Sequence, residues 1–142
     1  MKTLALCLAI LSAIGLVGTA FAQEDEVEFA QEVEVINSKY LEITDNKYSV
    51  GDQAEIIISG TVKNISPEEI GYVTVYTSLY NHKDELLTVL DAEIYIEDKP
   101  AIQTSLLQPG EEGPFEITFN QRNLRDFLHH YSLMPGGLFR LN

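Results

Sequence analysis

The chain has 142 residues, room for one ordinary domain but not for two large ones. It carries 22 Asp and Glu against 9 Lys and Arg, a formal charge of −13, with 45% apolar residues. That apolar share is too high for a disordered chain, and the acidity argues against binding nucleic acid or anionic lipid, which need a basic patch.

Lys2 precedes an apolar run from Leu4 to Val17, and Ala20-Phe21-Ala22 follows. A basic start, a short apolar centre and an A-x-A ending predict a secretory signal peptide over 1–22, cleaved before Gln23. The run is shorter than a spanning helix requires, so no membrane span is expected after cleavage. Cleavage removes Cys7, the single cysteine, and with it any disulfide, thiol nucleophile or Cys metal site. An exported domain without disulfides fits a prokaryotic envelope better than a eukaryotic secreted module.

Residues 23–32 read as an acidic linker or the beginning of a first strand, since Phe29, Val33 and Val35 alternate with Glu28, Glu32 and Glu34. A short strand is predicted from Tyr40 to Thr44, with turn chemistry at Asp45-Asn46-Lys47 and Val50-Gly51-Asp52. Long alternating strands follow from Ala54 to Ile65 and from Gly71 to Asn81. The polar turn Asn81-His82-Lys83-Asp84 returns the chain antiparallel along Leu86 to Ile96. Pro109-Gly110 suits a type II turn before a last strand carrying Phe115, Ile117 and Phe119. Gly60, inside a strand, marks a bulge or a close backbone approach. Shared parity predicts one core of Ile56, Ile58, Val62, Val73, Val75, Leu79, Ile94, Ile96, Phe115, Ile117 and Phe119. In the tail, Leu124, Phe127, Leu128 and Tyr131 fall at i, i+3, i+4, i+7. That spacing predicts an amphipathic helix over 123–133 with Asn123 as its cap.

Three stretches carry a family likeness: Gly60-Thr61-Val62-Lys63-Asn64-Ile65-Ser66, then Val73 to Asn81, then Leu107-Gln108-Pro109-Gly110-Glu111 with Pro114-Phe115-Glu116-Ile117. Together they make residues 54–120 resemble the FxLYD domain family, small immunoglobulin-like sandwiches of prokaryotic exported proteins. Thr77 stands where that family has Phe, and Asn81 where it has Asp; Leu79 and Tyr80 match. Thr44 to Asp52 with Ile58-Ser59-Gly60 also looks like the opening of sandwich repeats in archaeal surface proteins. The resemblance implies a fold and a compartment and carries over no catalytic residue.

The expected architecture is an all-β, immunoglobulin-like antiparallel β-sandwich over 33–121, with a short C-terminal helical tail over 122–142. No catalytic signature is present: there is no G-x-S-x-G, and carboxylate pairs are unavoidable in so acidic a chain. An enzyme is not expected, and neither is a cofactor. No metal site is assigned, because His129 and His130 would diverge by about 100° on a helix and His82 lies in a distant turn. Asn64-Ile65-Ser66-Pro67 reads as turn chemistry rather than a glycosylation site. Tyr72, Tyr76 and Tyr80 share the outer face of one strand, and Tyr95 points outward on the next. With Leu124, Phe127, Leu128 and Tyr131 of the tail, these are the expected contacts for a protein partner or a second copy. The expected function is a non-enzymatic exported binding or assembly module. The alternative is an exported accessory protein binding calcium or copper through clustered carboxylates.

Overall fold

A computed structural model describes residues 32–139. The signal peptide read at 1–22 and the acidic stretch up to Gln31 lie outside the described residues. The described residues form seven strands: β1 Glu32–Val35, β2 Leu41–Val50, β3 Ile56–Asn64, β4 Ile70–Tyr80, β5 Leu86–Glu93, β6 Glu112–Phe119 and β7 His130–Phe139. A short helix, α1 Arg122–Phe127, joins β6 to β7. The strands form two sheets, sheet A in the order β1-β7-β4-β5 and sheet B in the order β2-β3-β6. All pairings are antiparallel except β1 with β7. The chain is an all-β sandwich.

Period-2 alternation builds the core. Sheet B turns Leu41, Ile43, Ile56, Ile58, Val62, Phe115, Ile117 and Phe119 inward. Sheet A answers with Val73, Val75, Leu79, Tyr131 and Leu133. Ile70, Ile94, Leu107, Leu124 and Leu128 close the ends. Every predicted core residue is buried except Ile96, which is half-buried.

Three elements depart from the expectation. Asp45-Asn46-Lys47 is no turn: β2 runs through it as a bulge. Thr44 pairs with Thr61 and Lys47 with Ser59, so two residues oppose Gly60. Gly60 is required there, because a Cβ would lie 2.9 Å from the Phe115 ring and 3.1 Å from Asn46 Cα. Next, β5 ends at Glu93. Ile94 N–H still donates to Val73 O, but Tyr95 N–H donates to Pro114 O and Ile96 N–H to Thr104 O, so the chain crosses to the edge of β6.

The third departure is the tail. Residues 122–139 are not a helical tail, and 123–133 is not a helix. α1 stops at Phe127, its N-cap is Gln121 rather than Asn123, and Leu128 is already extended at ψ 126. From His130 the chain enters sheet A between β1 and β4. The same residues carry two periods. Leu124 and Leu128 fit a helix, whereas Tyr131, Leu133 and Pro135 alternate inward with His130 and Met134 outward. A six-residue helix gains little alone, while β7 satisfies β4's open edge along nine register pairs. The long-range ladder wins.

Two of the family-like stretches, 60–66 and 107–111, meet in one hydrogen-bonded knot. The fully buried Asn64 donates from Nδ2 to Glu68 O (2.7 Å) and Leu107 O (3.0 Å), and its Oδ1 accepts from Ser66 N–H (2.9 Å). Gly110 N–H donates to Asn64 O, and Gly110 takes the left-handed φ of 82° that the Pro109-Gly110 turn requires. Glu111 then anchors the turn to Lys99 Nζ (2.7 Å) and Gln108 N–H (2.9 Å). Burial alone would raise the Glu111 carboxyl. The hydrogen bonds from Lys99 and Gln108 and the Lys99 charge outweigh it and hold the group below the usual carboxylate range.

Candidate functional site

The outer face of sheet A collects several of the exposed apolar side chains that the core does not use. β4 turns Tyr72, Tyr76 and Tyr80 to this face, with Thr74 and Ser78 between them. Register places Met134 of β7 beside Tyr76, and Val89 and Leu86 of β5 beside Ser78 and Tyr80. Tyr72 is 65% exposed, Val89 49%, Met134 46% and Tyr76 37%. Tyr76 leans over Gly136, where a Cβ would come within 3.3 Å of its ring, so the glycine makes room for the tyrosine. Acids fringe the patch: Asp91 is the register partner of Tyr76, Glu93 that of Thr74, and Glu34 that of Ser132.

Tyr72 is held in an unusual backbone state. Gly71 pairs with Leu138 and Thr74 with Gly136, so Tyr72 and Val73 together oppose Gly137. Tyr72 takes φ 52° at this bulge, in the left-handed region that a bulky side chain avoids. The bulge places Tyr72 on the wall of a hollow of about 340 Å³ lined also by Ile102, Leu106, Leu138 and Phe139. Phe139 meets Tyr40 edge-on at 4.7 Å, which extends the apolar surface around the end of the sandwich.

The expected contact residues part company here. Tyr72, Tyr76 and Tyr80 do share one face, though Tyr80 is half-buried against the His130 ring, stacked at 5.1 Å. Tyr95 is exposed but leaves that face, because β5 ends before it. It lines a separate hollow of about 510 Å³ over sheet B with Lys47, Glu93 and Glu116. Leu124, Leu128 and Tyr131 are buried in the sandwich and are not surface contacts, since β7 replaces the expected helix. Phe127 is exposed on α1. Met134, Val89 and Leu86 are absent from the expectation. Reading 130–139 as a strand would have put Met134 on the parity of His130 and Ser132.

Tyr131 bridges the sheets from inside, its ring 6.1 Å from that of Tyr48 on β2. Burial pushes its phenol up to about 12, and the neighbouring Tyr48 adds to the shift. Among the described residues, no three His, Cys, Asp or Glu side chains gather where they could hold an ion, and no helix is long and apolar enough to cross a membrane. Comparison with family models, with curated proteins and with solved structures finds no match to this chain.

Proposed function

We propose that the chain is an exported, non-enzymatic binding module of a prokaryotic cell envelope, an FxLYD-like and immunoglobulin-like sandwich that holds a protein partner on the outer face of sheet A. The signal-like start supports export. The knot joining Asn64, Leu107, Gly110 and Glu111 supports the family reading, because it gives a structural task to two of the family-like stretches, the one ending at Ser66 and the Pro109-Gly110 turn. The observation that carries the function is the row of Tyr72, Tyr76, Val89 and Met134, left exposed on a sheet whose backbone is already paired. Tyr and Met are enriched at contact surfaces, with large bodies and few polar atoms to desolvate. The acidic fringe and the charge of −13 call for a partner whose apolar contact is flanked by Lys or Arg.

A photo-crosslinking residue in place of Ser78, between Val89 and Ser132 on this face, tests the proposal in envelope fractions of the native cell. The expected result is one discrete adduct that disappears when Met134→Glu is added, and none from the same residue placed at Lys63 on sheet B. Absence of an adduct at Ser78, or equal adducts at both positions, would contradict it.

A further inference from the structure

The three histidines look unpromising as a set, because neighbours on a helix diverge. The premise fails in the folded chain. His129 follows the end of α1 and His130 opens β7, so neither sits on a helix. Their Nδ1 atoms converge to 3.1 Å, with the rings at 90° to each other.

The His130 ring and the His129 backbone are each held from outside the pair. His130 lies flat on Tyr80, with ring centroids 5.1 Å apart and planes within 12°. Its Nε2 lies 3.2 Å from Asp84 Oδ1 in the β4–β5 turn. A proton on Nε2 satisfies that carboxylate and leaves Nδ1 as a bare lone pair. His129 is fixed through its backbone, whose N–H donates to Tyr80 O at 2.8 Å. A carboxylate behind one nitrogen of an imidazole whose other nitrogen is bare is the arrangement that orients metal-binding histidines.

We propose that His129 Nδ1 and His130 Nδ1 form a two-nitrogen site for a divalent transition-metal ion, Cu²⁺ ahead of Zn²⁺, with Asp84 positioning His130 and water completing the ion's coordination. With metal–nitrogen bonds of about 2.0–2.1 Å, a 3.1 Å separation gives a nitrogen–metal–nitrogen angle of roughly 100°, between square-planar and tetrahedral. Imidazole suits copper, nickel and zinc and not calcium, and Cu²⁺ heads the affinity order. With both rings neutral, one proton lies between the two Nδ1 atoms across their 3.1 Å contact. Binding moves it to His129 Nε2, so both donors are free and no net proton is released. Asp84 and Glu85 nearby, and the charge of −13, favour the approach of a cation. The site lies at the Tyr80 end of the same outer face, does not depend on the partner-binding reading, and has its own readout.

The test is titration of the whole protein with Cu²⁺, followed by visible absorption and electron paramagnetic resonance. The expected result is one tightly bound equivalent with hyperfine structure from two imidazole nitrogens. His129→Ala and His130→Ala each abolish that two-nitrogen signature, and His82→Ala leaves it intact. Asp84→Asn weakens binding by about tenfold while keeping the signature. Where a histidine variant does not fold, nitrogen NMR of the unaltered protein replaces it: substoichiometric Cu²⁺ broadens the ring signals of His129 and His130 and spares His82. Oxygen-only ligation, binding that survives both substitutions, or equal broadening of all three histidines would overturn the proposal.

Discussion

Asn64 carries more of this fold than any surface residue, because its side chain holds three segments at once. It is fully buried, and its amide ties the 64–69 turn to Leu107 across the sandwich. Asn64→Ala strands Ser66 N–H and weakens the cover of two carbonyls, so it is expected to cost about 2–3 kcal/mol in denaturant unfolding. Tyr72 shows the opposite economy, a residue kept in spite of its backbone. At φ 52° the left-handed state costs a non-glycine residue about 1–2 kcal/mol. Tyr72→Gly is therefore expected to be more stable than Tyr72→Ala by about 1 kcal/mol, the difference isolating backbone strain from loss of the ring. Equal stabilities would show that the bulge imposes none. Tyr131 sets the behaviour in alkali. Its phenol is raised to about 12 in the fold from an ordinary value of 10.0, so the folded chain holds the proton longer than the unfolded one. The stabilisation is complete below pH 10 and is lost as pH rises from 10 toward 12. Thermal melts across that window are expected to fall more steeply for the unaltered protein than for Tyr131→Phe.

At the scale of the element, β3, β4 and β6 were plain in the sequence because each alternates cleanly for eight residues or more and buries one parity. The tyrosine face followed from that parity. What stayed hidden depended on partners far along the chain. β2 reads as a short strand and a turn, because a bulge opposite Gly60 looks locally like turn chemistry. Tyr95 reads as a sheet A residue, because alternation continues unbroken from β5 across the switch to sheet B. The tail reads as a helix, because Leu124 to Tyr131 satisfies a 3.6-residue period before the alternation of Tyr131, Leu133 and Pro135 begins. The distinction has a direct consequence. A docked helix could be removed and leave a folded sandwich, whereas β7 lies between β1 and β4. A chain ending at Gln121 is expected to give the circular dichroism of an unfolded protein. A cooperative melt from that chain would restore the helical-tail view.

For the whole molecule, the edges and the faces of the sheets differ in how they are protected. Each sheet edge carries a guard against strand addition. β2 has the Asp45 bulge, and β6 has Pro114, whose carbonyl accepts from Tyr95. β5 has a register break between Leu86 and Thr88 and the acids Asp91 and Glu93, and β1 carries Glu34. The outer face of sheet A has no such guard at its centre. On the proposal that the chain holds a protein partner, a surface that guards its edges and leaves Tyr76, Val89 and Met134 in water meets that partner through side chains rather than by extension of the sheet. Hydroxyl-radical footprinting of Met134 and Tyr76, in the purified protein and in intact cell envelopes, measures that claim at the residues that define it. The account predicts rapid oxidation of both when purified and strong protection of both in the envelope, with Tyr95 on the far side equally reactive in the two settings. Equal reactivity of Met134 and Tyr76 in both settings would contradict it.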